Sequence, residues 1–273
     1  MDLVQAAVLG VVQGATEYLP VSSSGHLVLV PALLGWKTAP FSFNILVQMG
    51  TLLGVIIYYF SDLKKMATAM VRGLLAAKPF EDSESRTGWL VGLATVPAAI
   101  IGLVFKDLFE EVFANPLWSA VFLFLTALLL AAAEFFGKRV RDQSQHTLLD
   151  AVVIGLFQAL ALFPGVSRSG STIAAGMFLG LDRSAAARFS FLMSIPVMVG
   201  AGVLALSDLL ENPSALSEHG AGIAVGFLVS AITGYLVIRW FLAFVKNRSL
   251  YGFSIYCFVA ACTMLVFLNG KAS

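Results

Sequence analysis

The sequence predicts an all-α, multi-pass (polytopic) membrane protein with six transmembrane helices and two re-entrant broken-helix hairpins, arranged as an inverted-topology repeat. Of its 273 residues, 59% are hydrophobic and 12% are charged, whereas soluble domains carry about 25% charged residues. Long apolar runs recur, and two interrupted apolar regions have related sequences. We therefore expect one membrane domain over residues 1–273, surrounded by membrane lipids. The formal net charge of +1 says nothing about partners, and no basic patch in the sequence indicates a nucleic-acid partner.

Six apolar runs are long enough to cross a bilayer, which takes roughly 17 to 25 helical residues. They cover residues 41–60, 88–105, 116–136, 188–207, 221–243 and 250–269. Two further apolar regions, 1–36 and 148–181, are each interrupted by proline and a Ser/Gly cluster. Their halves are too short to cross, so we expect re-entrant hairpins made of broken helices.

The two hairpins are copies of one another. A shift of 145 positions aligns them without a gap and pairs Gly10 with Gly155, Gln13 with Gln158, Ser22 with Ser167, Ser24 with Ser169 and Gly25 with Gly170. We therefore predict one repeat over about residues 1–136 and a second over about 148–269. The copies differ at three polar positions, where Glu17 is matched by Leu162, Ser23 by Arg168 and His26 by Ser171.

Charges in the connections predict the orientation, because cytoplasmic loops are enriched in Lys and Arg. The connections 61–87, 137–150 and 239–248 are basic, and those at 106–115 and 208–220 are acidic. A chain with six spans satisfies all five of these loop assignments only if both of its termini are external. The first hairpin then enters from outside and the second from the cytoplasm, which inverts the second repeat. Inverted repeats with broken helices place their site near the bilayer midplane.

Two other features concern the surface and the packing of helices. Residues 61–80 mix lysine with apolar side chains, which favours a helix at the cytoplasmic membrane surface. The pairs Gly88/Gly92 and Gly222/Gly226 have the small-xxx-small spacing that allows close helix packing. This spacing leaves open whether they pack within the monomer or across a homodimer.

Each hairpin carries one isolated charge. Glu17 is the only formal charge in residues 3–36, and Arg168 is the only one in residues 151–181. Charges in the hydrocarbon region are costly and are usually functional. The alternative is a purely structural Glu–Arg pair that holds the hairpins together.

The break in each hairpin has the composition of an anion site. Gln13 and Glu17 are four residues apart and share a helix face, and Pro20 then ends the helix. The Ser/Gly cluster supplies hydroxyls and backbone N–H groups at the start of a new half-helix, where anions bind. Two such loops and one arginine fork suit a diphosphate, although serines at these positions also cap helices. The candidate binding residues are Gln13, Ser22, Ser24, Gly25, Ser167, Ser169, Gly170 and Thr172.

Ser23, Glu17 and His26 form a candidate catalytic group. Ser23 and Arg168 occupy the same position in the two copies, so we expect them to face each other. His26 lies three residues beyond Ser23, on the same helix face. A serine hydroxyl needs a base to attack, so we assign Glu17 to take its proton and His26 to protonate a leaving phosphate. A structural role is the alternative for His26, and Glu17 is also a candidate metal ligand.

Two motifs together resemble the undecaprenyl-pyrophosphate phosphatase family of bacteria, the bacitracin-resistance type. They read QGATEYLPVSSSGH over residues 13–26 and PGVSRSGST over residues 164–172. The resemblance covers essentially the whole chain. The family's first motif is E/Q-x-x-x-E, and Gln13 at its first position leaves the acidic role to Glu17.

The resemblance implies an integral-membrane hydrolase that removes the terminal phosphate of undecaprenyl diphosphate. Such an enzyme recycles the lipid carrier of cell-wall synthesis and confers bacitracin resistance. The resemblance also implies that Ser23 is the nucleophile, that Arg168 holds phosphate, and that Mg²⁺ or Ca²⁺ supports activity without an organic cofactor. The expected location is the bacterial inner (cytoplasmic) membrane, with the active site towards the periplasm.

A transporter or flippase of polyprenyl phosphate or another anion is the alternative from a different functional class. Inverted repeats with broken helices are typical of transporters. The asymmetry of the two breaks favours an enzyme, because a transporter needs an anion site but no activated serine. A purely structural membrane protein would leave the isolated charges unexplained.

Overall fold

The computed structural model describes residues 2–37, 39–113, 116–211 and 214–272. Within these ranges the secondary structure is helical, apart from an isolated bridge between Arg141 and Leu181, which confirms the all-α fold class. The first half contains α1 (Leu3–Tyr18), α2 (Ser23–Leu33), α3 (Phe41–Tyr58), α4 (Phe60–Leu75), α5 (Ser83–Val104), α6 (Lys106–Phe113) and α7 (Pro116–Phe136). The second half contains α8 (Leu148–Leu160), α9 (Arg168–Phe178), α10 (Arg183–Glu211), α11 (Ser214–Val245) and α12 (Tyr251–Ala272).

The chain is a multi-pass membrane protein. In the described part, five helices are long and apolar enough to cross a membrane, through residues 83–104, 116–136, 183–203, 220–245 and 251–268. Helices α3 and α4 pass the same test together but are bent by 73° at their junction. The described residues therefore hold five candidate spans, or six if the bent pair counts as one crossing.

Some helix ends differ from the predicted apolar runs. Helix α5 begins at Ser83, five residues before its predicted span, because the Asp82 carboxylate caps it by accepting from two N–H groups of the first turn. The connections predicted as loops at 106–115 and 208–220 are largely helical, since α6 occupies the first and both α10 and α11 extend into the second. The side chains of Glu110 and of residues 204–219, which contribute acidic groups to the predicted orientation, lie outside the described part.

The two hairpins have the same local structure. The shift of 145 positions places the start of α1 on that of α8, and it places both ends of α2 on those of α9. A glycine with positive φ follows each second limb, at +68° for Gly35 and +90° for its copy Gly180. Glycine adopts this conformation at little steric cost. The sequence duplication therefore extends to the helix bounds and to the turns that follow them.

Each hairpin packs against a helix of the other half, with α1 against α11 and α8 against α5. Small residues permit these contacts. A Cβ atom added to Gly14 would lie 2.6 Å from Cβ of Thr233, and one added to Gly155 would lie 2.6 Å from the carbonyl oxygen of Ala94. Close approach of this kind allows helices to associate in lipid, where apolar burial gives little driving force.

Two glycines of the small-xxx-small pairs pack within the chain. Gly226 lies against Phe43 and Val47, and Gly88 lies against Met70. A larger residue at either position would meet these side chains of the same monomer. One glycine of each pair thus packs inside the monomer, whereas Gly92 has no atom within 4 Å of an added Cβ, and the homodimer stays a prediction.

Candidate active site

The tips of the two hairpins meet. The backbone N–H of Gly165 donates to Ser24 Oγ at 3.4 Å, and Ser169 Oγ donates to the carbonyl oxygen of Leu19 at 2.9 Å. Each hydrogen bond joins one copy of the duplicated break to the other. The two breaks therefore form a single site.

Glu17 is the centre of that site and is only 7% exposed. Its Oε2 accepts hydrogen bonds from Gln13 Nε2 at 2.8 Å and from Ser23 Oγ at 2.7 Å. Its Oε1 accepts from Arg168 Nη2 at 2.9 Å. Four residues singled out in the sequence thus come together around one carboxylate.

The local fold of the first break brings Ser23 to Glu17. Helix α1 ends at Tyr18, two residues before Pro20, and α2 begins at Ser23. Between them, Ser22 has a φ of +69°, which is uncommon for a residue other than glycine and is often found at functional sites. The sharp turn returns the chain towards the end of α1, so the Ser23 hydroxyl reaches the Glu17 carboxylate.

Arg168 reaches the site from the first residue of α9. Its Nη1 donates to the carbonyl oxygen of Ser190 at 3.3 Å, and its guanidinium carbon lies 5.8 Å from the centre of the Tyr18 ring, a cation–π contact. Thr172, one turn along α9, donates to the carbonyl oxygen of Arg168 at 2.7 Å and is itself fully buried. Thr172 therefore supports the backbone of Arg168, and its predicted contact with substrate stays a prediction.

Ser22 and Ser167 cap helices, which is the alternative to substrate binding for the serines of the two breaks. Ser22 Oγ accepts from the N–H of Gly25 at 3.4 Å, and Ser167 Oγ accepts from the N–H of Gly170 at 3.0 Å. The serine two residues later lies beside each cap, with Oγ–Oγ distances of 3.2 Å in the first hairpin and 3.1 Å in the second. Both loops thus share one hydrogen-bond pattern, and their contacts with substrate stay predictions.

His26 is buried, and both of its ring nitrogens have partners. Nδ1 lies 2.8 Å from the carbonyl oxygen of Ser22, and Nε2 lies 2.6 Å from the Tyr256 hydroxyl. A carbonyl oxygen only accepts, so Nδ1 carries a proton, and in the neutral ring Nε2 accepts from the Tyr256 O–H. Among the hydrogen bonds of the described residues, none joins His26 to Glu17 or Ser23.

Tyr256 is a site residue that sequence reasoning missed. It lies in an apolar run 230 positions from His26, so no local spacing marks it. Its ring is nearly parallel to the His26 ring, with 10° between the planes and 5.5 Å between the centroids, and it is 47% exposed. The next residue, Cys257, donates to the carbonyl oxygen of Pro20 at 3.4 Å. Helix α12 therefore covers the first break and contributes a phenol group to it.

The donors at the break fit a divalent cation that shares its ligands with a substrate. Within the described ranges, no group of three His, Cys, Asp or Glu side chains is placed to hold a metal ion. Mg²⁺ commonly binds one or two carboxylates together with substrate phosphates and water. Glu17 offers one such carboxylate, so it would hold the ion together with a bound diphosphate.

Comparisons with known proteins add an independent line of support. Residues 6–263 match the family model for bacitracin resistance protein BacA. The undecaprenyl-diphosphatase of Rubrobacter xylanophilus is 45% identical over 271 residues, which cover 98% of this chain and 99% of the relative. Proteins with the same name from Chloroherpeton thalassium and Chlorobaculum parvum are 40% and 43% identical, over 98% and 91% of both chains respectively. This chain therefore belongs to the bacitracin resistance protein BacA family.

Proposed function

We propose that this protein is an integral-membrane hydrolase that converts undecaprenyl diphosphate to undecaprenyl phosphate and inorganic phosphate. The observation that carries the proposal is the 2.7 Å hydrogen bond from Ser23 Oγ to Glu17, beside the guanidinium of Arg168. Relatives that match nearly the whole chain are named for this activity. The reaction recycles the lipid carrier of cell-wall synthesis, and the family name makes bacitracin resistance its cellular consequence.

The first step transfers the terminal phosphoryl group to Ser23. Its Oγ attacks the terminal phosphorus while its proton passes to Glu17, and the bond from that phosphorus to the bridging oxygen breaks. Undecaprenyl phosphate leaves with the bridging oxygen and its electron pair, and it then receives the proton from Glu17. In the second step water attacks the phosphoserine, and Glu17 moves one proton from the water to the departing Ser23 Oγ.

Arg168 balances the charge of the phosphates during both steps. A guanidinium has five N–H donors, and the described partners of Arg168 engage its Nη1 and Nη2. No described residue accepts from Nε, so donors remain for phosphate oxygens. Without substrate, the Glu17 carboxylate neutralises this guanidinium. The ion pair also holds the guanidinium in place, so a diphosphate entering the break meets donors that are already oriented.

We also infer that Mg²⁺ or Ca²⁺ assists the reaction, with Glu17 as the protein ligand. Glu17 would hold such an ion together with substrate phosphates, and the ion would neutralise phosphate charge. The support is the chemistry of the donors at the break, where one carboxylate is available beside hydroxyl groups. This arrangement suits an ion delivered together with the diphosphate.

We further propose that the halves are inverted repeats and that the site faces the periplasm of the bacterial inner membrane. The matched helix bounds of the hairpins support the repeat. The crossed packing of α1 on α11 and of α8 on α5 is what a pseudo-two-fold axis between the halves produces. With α3 as a crossing and α4 along the surface, six spans place both termini outside, given the basic connections.

Transport of a polyprenyl phosphate is the second candidate function, because crossed repeats with broken helices are typical of transporters. The hydrogen bond between Ser23 and Glu17 has no use in transport. Release of phosphate from a polyprenyl diphosphate by detergent-purified protein separates the two functions. No phosphate release under conditions in which substrate binds would leave transport as the function.

Replacing Ser23 separates the nucleophile from the binding site. We expect Ser23→Ala to lower kcat by at least about 10³-fold, since the attacking oxygen is lost, while a non-hydrolysable diphosphate analogue still binds. Ser83→Ala, at an exposed position at the start of α5, is the control and should retain most activity. If Ser23→Ala turned over at a near wild-type rate, Ser23 would only stabilise the helix start, and water activated by Glu17 would be the attacking group.

The acidic role of Glu17 is tested by exchanging side chains within α1. We expect Glu17→Gln to lower kcat by about 10²- to 10⁴-fold, the usual contribution of a positioned base. Gln13→Glu should be tolerated better than Glu17→Gln, because Glu17 and its contact with Ser23 remain, although the amide donor to Glu17 Oε2 is lost. Steady-state phosphate release measures both variants. Equal tolerance of the two changes would contradict the assignment of Glu17 as the base.

Tyr256 is expected to support the turn at the first break, because it holds the His26 ring whose Nδ1 bonds the carbonyl oxygen of Ser22. Tyr256→Phe removes one hydrogen bond, which is worth about 1 kcal/mol or roughly a 5- to 10-fold decrease in kcat. KM should be unchanged, and the midpoint of thermal unfolding should fall slightly, because the buried Nε2 of His26 loses its partner. Tyr251→Phe, in the same helix and 42% exposed, is the matched control. A Tyr256→Phe enzyme with wild-type kcat would show that the contact has no role in turnover.

The orientation is tested with single cysteines introduced into a variant that lacks Cys257 and Cys262. Probes at Glu111 and Glu218 should react with an impermeant thiol reagent in intact cells, because their acidic connections are proposed to be external. A probe at Arg139 should react only after permeabilisation. External labelling at Arg139 would rule out the inverted arrangement with external termini.

A further inference from the structure

Helix α4 lies away from the catalytic site and presents three different faces. One face carries Met66, which is buried against the body of the protein. A second face exposes large apolar side chains, namely Phe60, Val71, Leu74 and Leu75. Lys65 and Arg72 share a third, basic face, and Lys64 lies among the exposed apolar side chains of the second face. A helix with adjacent apolar and basic faces lies in the membrane interface, with its apolar side among the acyl chains.

The basic face of α4 forms one wall of a groove of about 820 Å³. Lys64, Lys65, Thr68 and Arg72 line this wall, and the turn between α4 and α5 forms the opposite wall. The groove is far larger than a phosphate ion and is within the range of pockets that hold small organic molecules. It is also adjacent to the exposed apolar face of the same helix.

Two of the three acidic groups on the opposite wall have structural roles, and the third, Glu84, forms no ion pair among the described residues. Glu81 pairs with Lys78 at 3.0 Å, and the Asp82 carboxylate caps α5. In the part of the chain that the structure describes, no ion pair involves Lys64, Lys65 or Arg72. Basic side chains outnumber acidic ones in the groove by four to three, and Lys64, Lys65 and Arg72 form no ion pair there, so the groove favours an anion.

We propose that this groove binds the headgroup of an anionic phospholipid from the adjacent membrane leaflet. The three basic side chains meet the phosphodiester and any further negative charge of the headgroup. The exposed apolar side chains of α4 contact the acyl chains of the same lipid. This combination favours a lipid over free phosphate, because free phosphate makes no use of the apolar face. The 73° bend between α3 and α4 gives α4 the direction of a helix that lies along the membrane surface.

The test compares lipid binding by two variants that each remove three positive charges. The first is Lys64→Gln, Lys65→Gln and Arg72→Gln, and the matched control is Lys37→Gln, Lys138→Gln and Arg248→Gln, at exposed positions elsewhere. Binding of phosphatidylglycerol and of phosphatidylcholine to detergent-purified protein is measured by native mass spectrometry. We expect the α4 variant to lose about 10- to 100-fold in affinity for phosphatidylglycerol, given the attraction of each basic residue near an anionic surface.

The control variant should lose much less affinity, and neither variant should change phosphatidylcholine binding. Equal losses in both triple variants would overturn the proposal, because they would indicate general attraction between charges. Inorganic phosphate that competes as strongly as the lipid would also overturn it, since the occupant would then be free phosphate. Lys65→Gln alone should give a smaller loss of affinity for phosphatidylglycerol. Because Lys65 is exposed, this single variant should fold normally, so it tests the proposal even if the triple variant misfolds. Lipid binding is measured without turnover, so this test does not depend on the proposed hydrolase activity.

Discussion

The buried ion pair between Glu17 and Arg168 is the interaction on which the arrangement of this protein depends. Its partners lie 151 positions apart, in different hairpins and in different halves of the chain. Their side chains are 6% and 16% exposed. Removing one partner of a buried pair costs about 3–5 kcal/mol, because the remaining charge has neither a partner nor enough water. Correct pairing of the two charges therefore requires the two hairpins to meet tip to tip.

The two oxygens of the Glu17 carboxylate have different roles, because one holds Arg168 and the other contacts the proposed nucleophile. Oε1 accepts from Arg168, while Oε2 accepts from Gln13 and Ser23. A carboxylate held on both sides is oriented before substrate arrives, which removes part of the entropic cost of reaction. The purely structural interpretation of the pair accounts for the contact with Arg168. It does not account for a serine hydroxyl held against the second oxygen at the start of a helix.

The packing around the hairpins follows from the surrounding lipid. Helices in a membrane gain little from burying apolar side chains, so close contact of small residues has to hold them. Gly14 and Gly155 provide that contact for the first limb of each hairpin, each against a helix of the other half. Two kinds of contact therefore join the halves of the chain. They are the close helix packing along the first limbs of the hairpins and the ion pair between the hairpin tips.

The sequence by itself determined where the hairpins break, which charges they carry and that they are copies, because these properties are local. Proline and a Ser/Gly cluster end one helix and start the next, and aligning the copies identifies Ser23 and Arg168 as one of three divergent polar positions. Hydrophobicity also located the apolar helices, but it missed helix ends that a cap such as Asp82 extends into polar sequence.

Only the tertiary structure decided the surroundings of individual side chains. The ring of His26 is held by Tyr256 on a distant helix, a contact that no pattern around either residue encodes. Whether a serine in the break caps a helix or faces the carboxylate depends on the turn at Ser22, which orients Ser22 towards the N–H of Gly25 and Ser23 towards Glu17. Adjacent residues of the same type thus acquire different roles, because hydrogen-bond directions are set only once the chain has folded.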